Sequence, residues 1–249
     1  MSRPFAAARV LVSHRRSQGS DFVLAVFLAG IAGASNAGGF FALGQYTSHM
    51  TGYLSQIADN LVIGNLLVTA TALLAIGAFT TGAAFSTFLV NWARHRMGRR
   101  QFALPLAVQG ACLACFAFGG IFTTLPGRMF ALACLCFIMG MQNATITKIS
   151  GARIRTTHAT GMITDVGIEC GRALYRLVQP RRAVRPDGAK LRILLSLIGT
   201  YVVGGIVGAL GYAVVGFYFS LPLAGLLLAL ALPTFGAAGG RMVPRPGHR

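Results

Sequence analysis

Long apolar runs separated by short polar or basic stretches set the pattern of this chain. Six runs reach bilayer-crossing length, which takes about 20 predominantly apolar residues. They cover roughly 21–43, 66–92, 102–122, 127–147, 191–215 and 217–237, with a tight turn between the last two. Each is predicted to be a transmembrane helix. Two further stretches, 53–64 and 162–178, mix apolar and polar positions. The first is too short and too polar to be a full crossing. Both are expected to be re-entrant or half-length helices that enter from opposite faces.

A phrase recurs within this pattern. TSHMTG at 47–52 returns as TTHATG at 156–161, so Thr47, His49, Thr51 and Gly52 match Thr156, His158, Thr160 and Gly161. An Asn-Ala pair precedes each phrase, at Asn36 and at Asn143. The first phrase follows the first span and the second follows the fourth. Two halves of three spans each are implied, and an odd number of spans inverts the second half. The expected fold is all-α and integral to the membrane, with six transmembrane helices and two re-entrant or half-length helices in a 3+3 inverted-topology repeat. That architecture is typical of secondary transporters. The halves cover about 21–122 and 127–237 of one membrane domain at 21–237, flanked by basic tails at 1–20 and 238–249.

Composition agrees with this reading. The chain is 55% hydrophobic and only 11% charged, whereas a soluble domain carries about 25% charged residues. The net charge of +17 does not point to nucleic acid, because the basic residues sit in short clusters between apolar spans. An N-terminus on the cytoplasmic side puts every Lys and Arg on that side except Arg128, as the positive-inside rule favours. A multi-pass membrane protein with both termini cytoplasmic is expected, its basic clusters placed to attract anionic lipid. The basic, polar start has no apolar core followed by a cleavage site, so it does not read as a signal peptide.

Candidate chemistry gathers at the repeated phrase. Irregular backbone at membrane depth must be buried in protein or line a wet cavity. A helix N-terminus there offers free N–H donors and partial positive charge. The Thr and Ser hydroxyls could add donors, cap the helices or only satisfy the turn. His49 and His158 either contact a solute or coupling proton, or hold the turn through a carbonyl. Asp165 is the acid expected to act, and Glu169 the one expected to pair with Arg172 or Arg176. Asn36 and Asn143 supply uncharged hydrogen bonds or pin helices together. Thr51, Gly52, Thr160 and Gly161 would shape the site. Cys112 and Cys115 form a CxxC within a span, where small packing residues are the simpler reading. The glycine spacing at Gly204 and Gly208 indicates close helix packing. No metal or cofactor is implied.

The stretches AGASNAGGFFALGQYTSHMTG and GMQNATITKISGARIRTTHATGMITDVG resemble the YoaK family of bacterial inner-membrane proteins. The resemblance covers roughly 20–235 and implies a six-span fold and an inner-membrane location, but no chemistry. It departs from the family pattern at Asn36, where Asp is common, and at Tyr53, where Asn is common. The expected function is transport of a small polar solute, an anion among the candidates, through a midplane site between the two turns. Six spans make a small transporter, which suits a homodimer. Two other readings stand: a membrane-embedded enzyme using His158 with Asp165, and a non-transporting membrane partner protein.

Overall fold

A computed structural model describes residues 18–97, 101–118, 124–149, 159–179 and 184–232. The described residues are helical, with no strand among them. The helices are α1 (Gln18–Leu43), α2 (Met50–Ile63), α3 (Leu66–Met97), α4 (Ala103–Phe116), α5 (Leu125–Ile149), α6 (Ala159–Val178), α7 (Gly188–Val215) and α8 (Ser220–Ala231). A 3₁₀ turn, Gly216–Phe219, joins the last two.

Four of the predicted spans fall on α1, α3, α5 and α7, each at least as long as expected. Among the described residues four segments are long and apolar enough to cross a membrane, the last of them running through α7 into α8. Within that last segment the helix breaks at Gly216, whose φ of 60° and ψ of −143° suit a residue without a Cβ. The predicted span 102–122 appears as α4, only 14 residues long, and residues 119–123 lie outside the described set. The predicted span 217–237 is helical over the 12 residues of α8, and its end also lies outside. Of the two mixed stretches, α2 is half-length at 14 residues. In contrast, α6 has 20 residues, about 30 Å at 1.5 Å per residue, so it is longer than a half helix. Its charged residues Asp165, Glu169, Arg172 and Arg176 share one face at helical spacing.

Burial separates inner from outer helices. In the most apolar window of α1 and of α5, 61% is buried, against 22% in α3 and 17% in the α7–α8 segment. The central pair therefore comes from the first spans of the two predicted halves. Leu24, Leu28, Leu135 and Met139 lie in its core without exposure. Around it α1 packs on α7, α3 on α5, and α4 on α8. Each mixed helix lies against the helix that follows it, α2 on α3 and α6 on α7.

Glycines set the closest approaches. A methyl on Gly204 would land on the carbonyl oxygen of Gly30, and one on Gly208 on the backbone of Ala34. One on Gly33 would strike the carbonyl of Tyr201 and the amide of Gly205. The α3–α5 crossing is built alike. A methyl on Gly82 would meet the carbonyl of Phe137, and one on Gly140 the carbonyl of Phe79 and the amide of Ala83. Gly33 and Gly140 are 107 positions apart, as are Gly30 and Phe137, and as are Asn36 and Asn143. Tyr201 and Phe79 are 122 apart, as are Gly204 and Gly82, and as are Gly205 and Ala83. Along α1 and α7 the paired positions rise together, from Gly30–Gly204 to Gly38–Tyr212, and along α3 and α5 they rise from Gly82–Phe137 to Ser86–Thr145, so both pairs run parallel. Backbones this close gain dispersion contacts that larger side chains would block.

Polar groups in the core are mostly joined across helices. The Gln142 side-chain amide donates to the carbonyl of Leu28, and its Oε1 accepts from Gln109 Nε2 at 2.8 Å. Ser86 and Thr145 hydroxyls meet at 2.7 Å, as do Tyr212 and Ser220. Arg128, the one basic residue expected on the outer side, donates to the carbonyl of Leu43 at the end of α1, at 3.4 Å. A cation at a helix C-terminus is favourable.

Candidate functional site

After α1 the chain turns at Gly44, whose φ is 72°, and folds back along the helix it has just left. Gly39 makes room, since a Cβ there would collide with the Thr47 methyl and press on the Gln45 carbonyl. The Thr47–Ser48 segment is tied to α1 through one atom, Asn36 Oδ1. It accepts from the Ser48 backbone N–H at 3.1 Å, from Ser48 Oγ at 3.1 Å and from Thr47 Oγ1 at 3.5 Å. The backbone N–H can only donate, which fixes the oxygen of the Asn36 amide toward the turn. Thr47 is fully buried, Ser48 and Asn36 are half-buried, and the chain then enters α2.

The N-terminus of α2 is open. His49 occupies the capping position, and no side chain caps the helix. Of the roles open to the Thr47 and Ser48 hydroxyls, neither caps the helix; both donate to Asn36 Oδ1. The first α2 bond runs from Tyr53 N–H to the His49 carbonyl at 3.1 Å, which leaves first-turn N–H groups without helical partners. The His49 imidazole is exposed and lies over Gly52, where a Cβ would occupy the ring's place. This contact gives the His-x-x-Gly spacing a physical reason, because the glycine leaves room for the ring. Thr51 is exposed beside it. Tyr53 is buried and anchors α2: its hydroxyl donates to the Tyr46 carbonyl at 2.9 Å and lies against the Cys136 thiol of α5.

Tyr201 completes the cluster and was not foreseen. It belongs to α7, yet its hydroxyl faces the Ser48 and Asn36 side chains, near Tyr46. The sequence held a partial signal: a tyrosine in an apolar span, as at Tyr201 and Tyr212, needs a polar partner for its hydroxyl. The cluster therefore combines Asn36, Ser48, Tyr201, the His49 ring and free backbone donors, with no carboxylate in it. It suits a ligand that offers hydrogen-bond acceptors.

The second phrase is described only in part. Thr156, Thr157 and His158 lie outside the described residues. Asn143 donates to the Met139 carbonyl at 3.1 Å. Thr160 is exposed, and its carbonyl accepts from Thr164 Oγ1 at 2.9 Å; Gly161 is half-buried. Asp165 pairs with Lys190 of α7 at 3.3 Å. Glu169 is fully buried and pairs with Arg172 at 2.8 Å, as expected. Its other oxygen accepts from the Asp187 backbone N–H at 2.9 Å. Asp187 in turn caps α7 by accepting from the Ala189 and Lys190 amides. These acids thus bind α6 to the start of α7.

Among the described residues no three His, Cys, Asp or Glu side chains gather as a metal site requires. The thiols are free. Cys112, Cys115 and Cys134 line an apolar recess of about 560 Å³ between α3, α4 and α5, with Phe116, Phe130 and Phe137.

No curated protein and no solved structure matches the chain. The family described as "Protein of unknown function (DUF1275)" matches residues 24–233, most of its length. With its bundle of membrane-length apolar helices, the chain belongs to that family of unknown function.

Proposed function

We propose that this protein is a small-solute secondary transporter of the bacterial inner membrane, built as a 3+3 inverted repeat of six spans. In this reading α1–α4 form one half and α5–α8 the other. Support for the repeat comes from the glycine crossings. The backbone contacts of α1 with α7 and of α5 with α3 are related by the same two sequence offsets, 107 and 122, and the first of these also relates Asn36 to Asn143. The narrower likeness to YoaK proteins rests on the quoted motifs.

The observation that carries the function is the fold-back of the chain onto Asn36. A non-helical turn reaches from the end of α1 back to the level of Asn36, one turn from the Gly33 crossing, and opens α2 without a cap. In lipid, such backbone is tolerated where protein buries it or water reaches it. His49, Tyr201 and the α2 amides would contact the solute, and acceptor-rich solutes, anions included, fit these donors. His158, Thr160 and Gly161 would supply the counterpart from the other half. Asp165, held by Lys190, acts in this reading by positioning α6.

The test is solute counterflow in reconstituted vesicles, with labelled inorganic anions, carboxylates, amines and nucleobases. Wild type is expected to accumulate at least one class, and Asn36→Ala and His49→Ala to lose that flux while remaining folded. If no class moves, and both His→Ala variants keep full cellular activity, the partner-protein reading replaces this one. Chemical turnover of a lipid or quinone, abolished by His158→Ala, would favour an enzyme.

A further inference from the structure

We infer that the C-terminal half of α6, with the start of α7, is a binding surface for anionic phospholipid headgroups. The inference rests on the membrane-protein reading above and not on transport. Asp165 and Glu169 of α6 face Lys190 and Asp187 of α7. The contact register therefore runs antiparallel, and the end of α6 projects past the first residues of α7. Every residue from 170 to 179 is exposed. Leu174 is 63% exposed, Leu177 78% and Val178 69%, which is unfavourable in water and suited to the acyl boundary of a bilayer. Tyr175, exposed beside them, has the amphipathic ring that concentrates at that depth.

The charges select the headgroup. Each carboxylate in this region already has a partner: Asp165 has Lys190, Glu169 has Arg172, and Asp187 caps α7. Arg176, Arg185 and Arg192 are exposed, and none forms an ion pair with these acids. Arg176 lies two helical turns from Glu169. Arg185 and Arg192 flank the Asp187–Lys190 contact by two residues each. Exposed cations with no ion pair among the described residues, beside an exposed apolar strip, match an anionic lipid surface. The corresponding helix of the other half, α2, carries no basic residue, so the surface is one-sided.

Each cation near a charged bilayer contributes about fivefold in lipid affinity, so three contribute about a hundredfold. The experiment uses the full-length protein, purified and exchanged into nanodiscs of phosphatidylglycerol or phosphatidylcholine. Retained lipid is counted by native mass spectrometry after detergent extraction. Wild type is expected to retain phosphatidylglycerol over phosphatidylcholine. The triple variant Arg176→Gln, Arg185→Gln, Arg192→Gln is expected to lose that preference by more than tenfold while keeping its melting temperature in neutral lipid. Inorganic phosphate at millimolar concentration is expected not to compete, which separates a lipid surface from a free-phosphate site. Equal retention of both lipids by wild type, or an unchanged preference in the triple variant, overturns the inference. Solute flux that persists in the triple variant leaves the transport reading untouched, so the two fail separately.

Discussion

Replacing Asn36 by alanine removes the acceptor that ties the Thr47–Ser48 segment back to α1. Two of its bonds are short, from Ser48 N–H and Ser48 Oγ, both at 3.1 Å. The third, from Thr47, is 3.5 Å and counts for little. The Ser48 hydroxyl can rotate to another acceptor, so its loss costs about 1 kcal/mol. The backbone N–H cannot rotate, and leaving this half-buried donor bare costs about 1–2 kcal/mol, less than a fully buried group would. The expected total is about 2–3 kcal/mol. For a domain of this size each kcal/mol moves the midpoint by about 2–4 °C, so Asn36→Ala should melt about 4–12 °C below wild type in one detergent. Asn36→Asp keeps an acceptor of the same shape and should recover most of the loss at neutral pH. A double-mutant cycle of Asn36→Ala with Ser48→Ala should give a coupling of at least about 0.5 kcal/mol. An Asn36→Ala midpoint within 2 °C of wild type, or additive single effects, would refute the claim that this oxygen organises the turn.

Other outcomes follow from the packing. Gly33→Val and Gly140→Val each drive a branched side chain into a facing carbonyl and should abolish monodisperse protein on size exclusion. Gly77→Ala and Gly199→Ala, which meet open space, should be neutral or stabilise by about 0.5–1 kcal/mol. Glu169→Ala strips acceptors from Asp187 N–H and Arg172. Hydrogen exchange should then quicken in α6 and the first turn of α7, with little change in the α1–α7 crossing. Gly52→Ala should push the His49 ring off the helix and alter its carbethoxylation rate, whereas Gly225→Ala, which meets nothing, should not.

The long spans were legible because hydrophobic length is a one-dimensional signal, and α1, α3, α5 and α7 follow it. The repeated phrase also marked the turn that Asn36 holds. Details of the site depend on contacts between distant segments. Tyr201 comes from α7, more than 150 positions from Asn36 and Ser48, and no local pattern ties it to them. The sequence left the Thr47 and Ser48 hydroxyls as donors, caps or turn groups, and the contact with Asn36, eleven and twelve positions away, decides against capping. The mixed character and extent of 162–178 were legible as well, but not what answers its charges: Asp165, Glu169 and Arg172, at i, i+4 and i+7, form a face that meets the start of α7.

The central claim is that the Asn36–Ser48–His49 cluster binds a solute, and a ligand screen by thermal stability tests it most directly. Detergent-purified protein would be melted with small anions, carboxylates, amines and nucleobases at two pH values. A ligand that binds only the folded state raises the midpoint in step with its concentration over its dissociation constant. The account expects at least one acceptor-rich compound to raise the wild-type midpoint dose-dependently, and the rise to vanish in folded Asn36→Ala and His49→Ala proteins. A rise that survives in both variants, or none with any compound up to millimolar concentration, would contradict it.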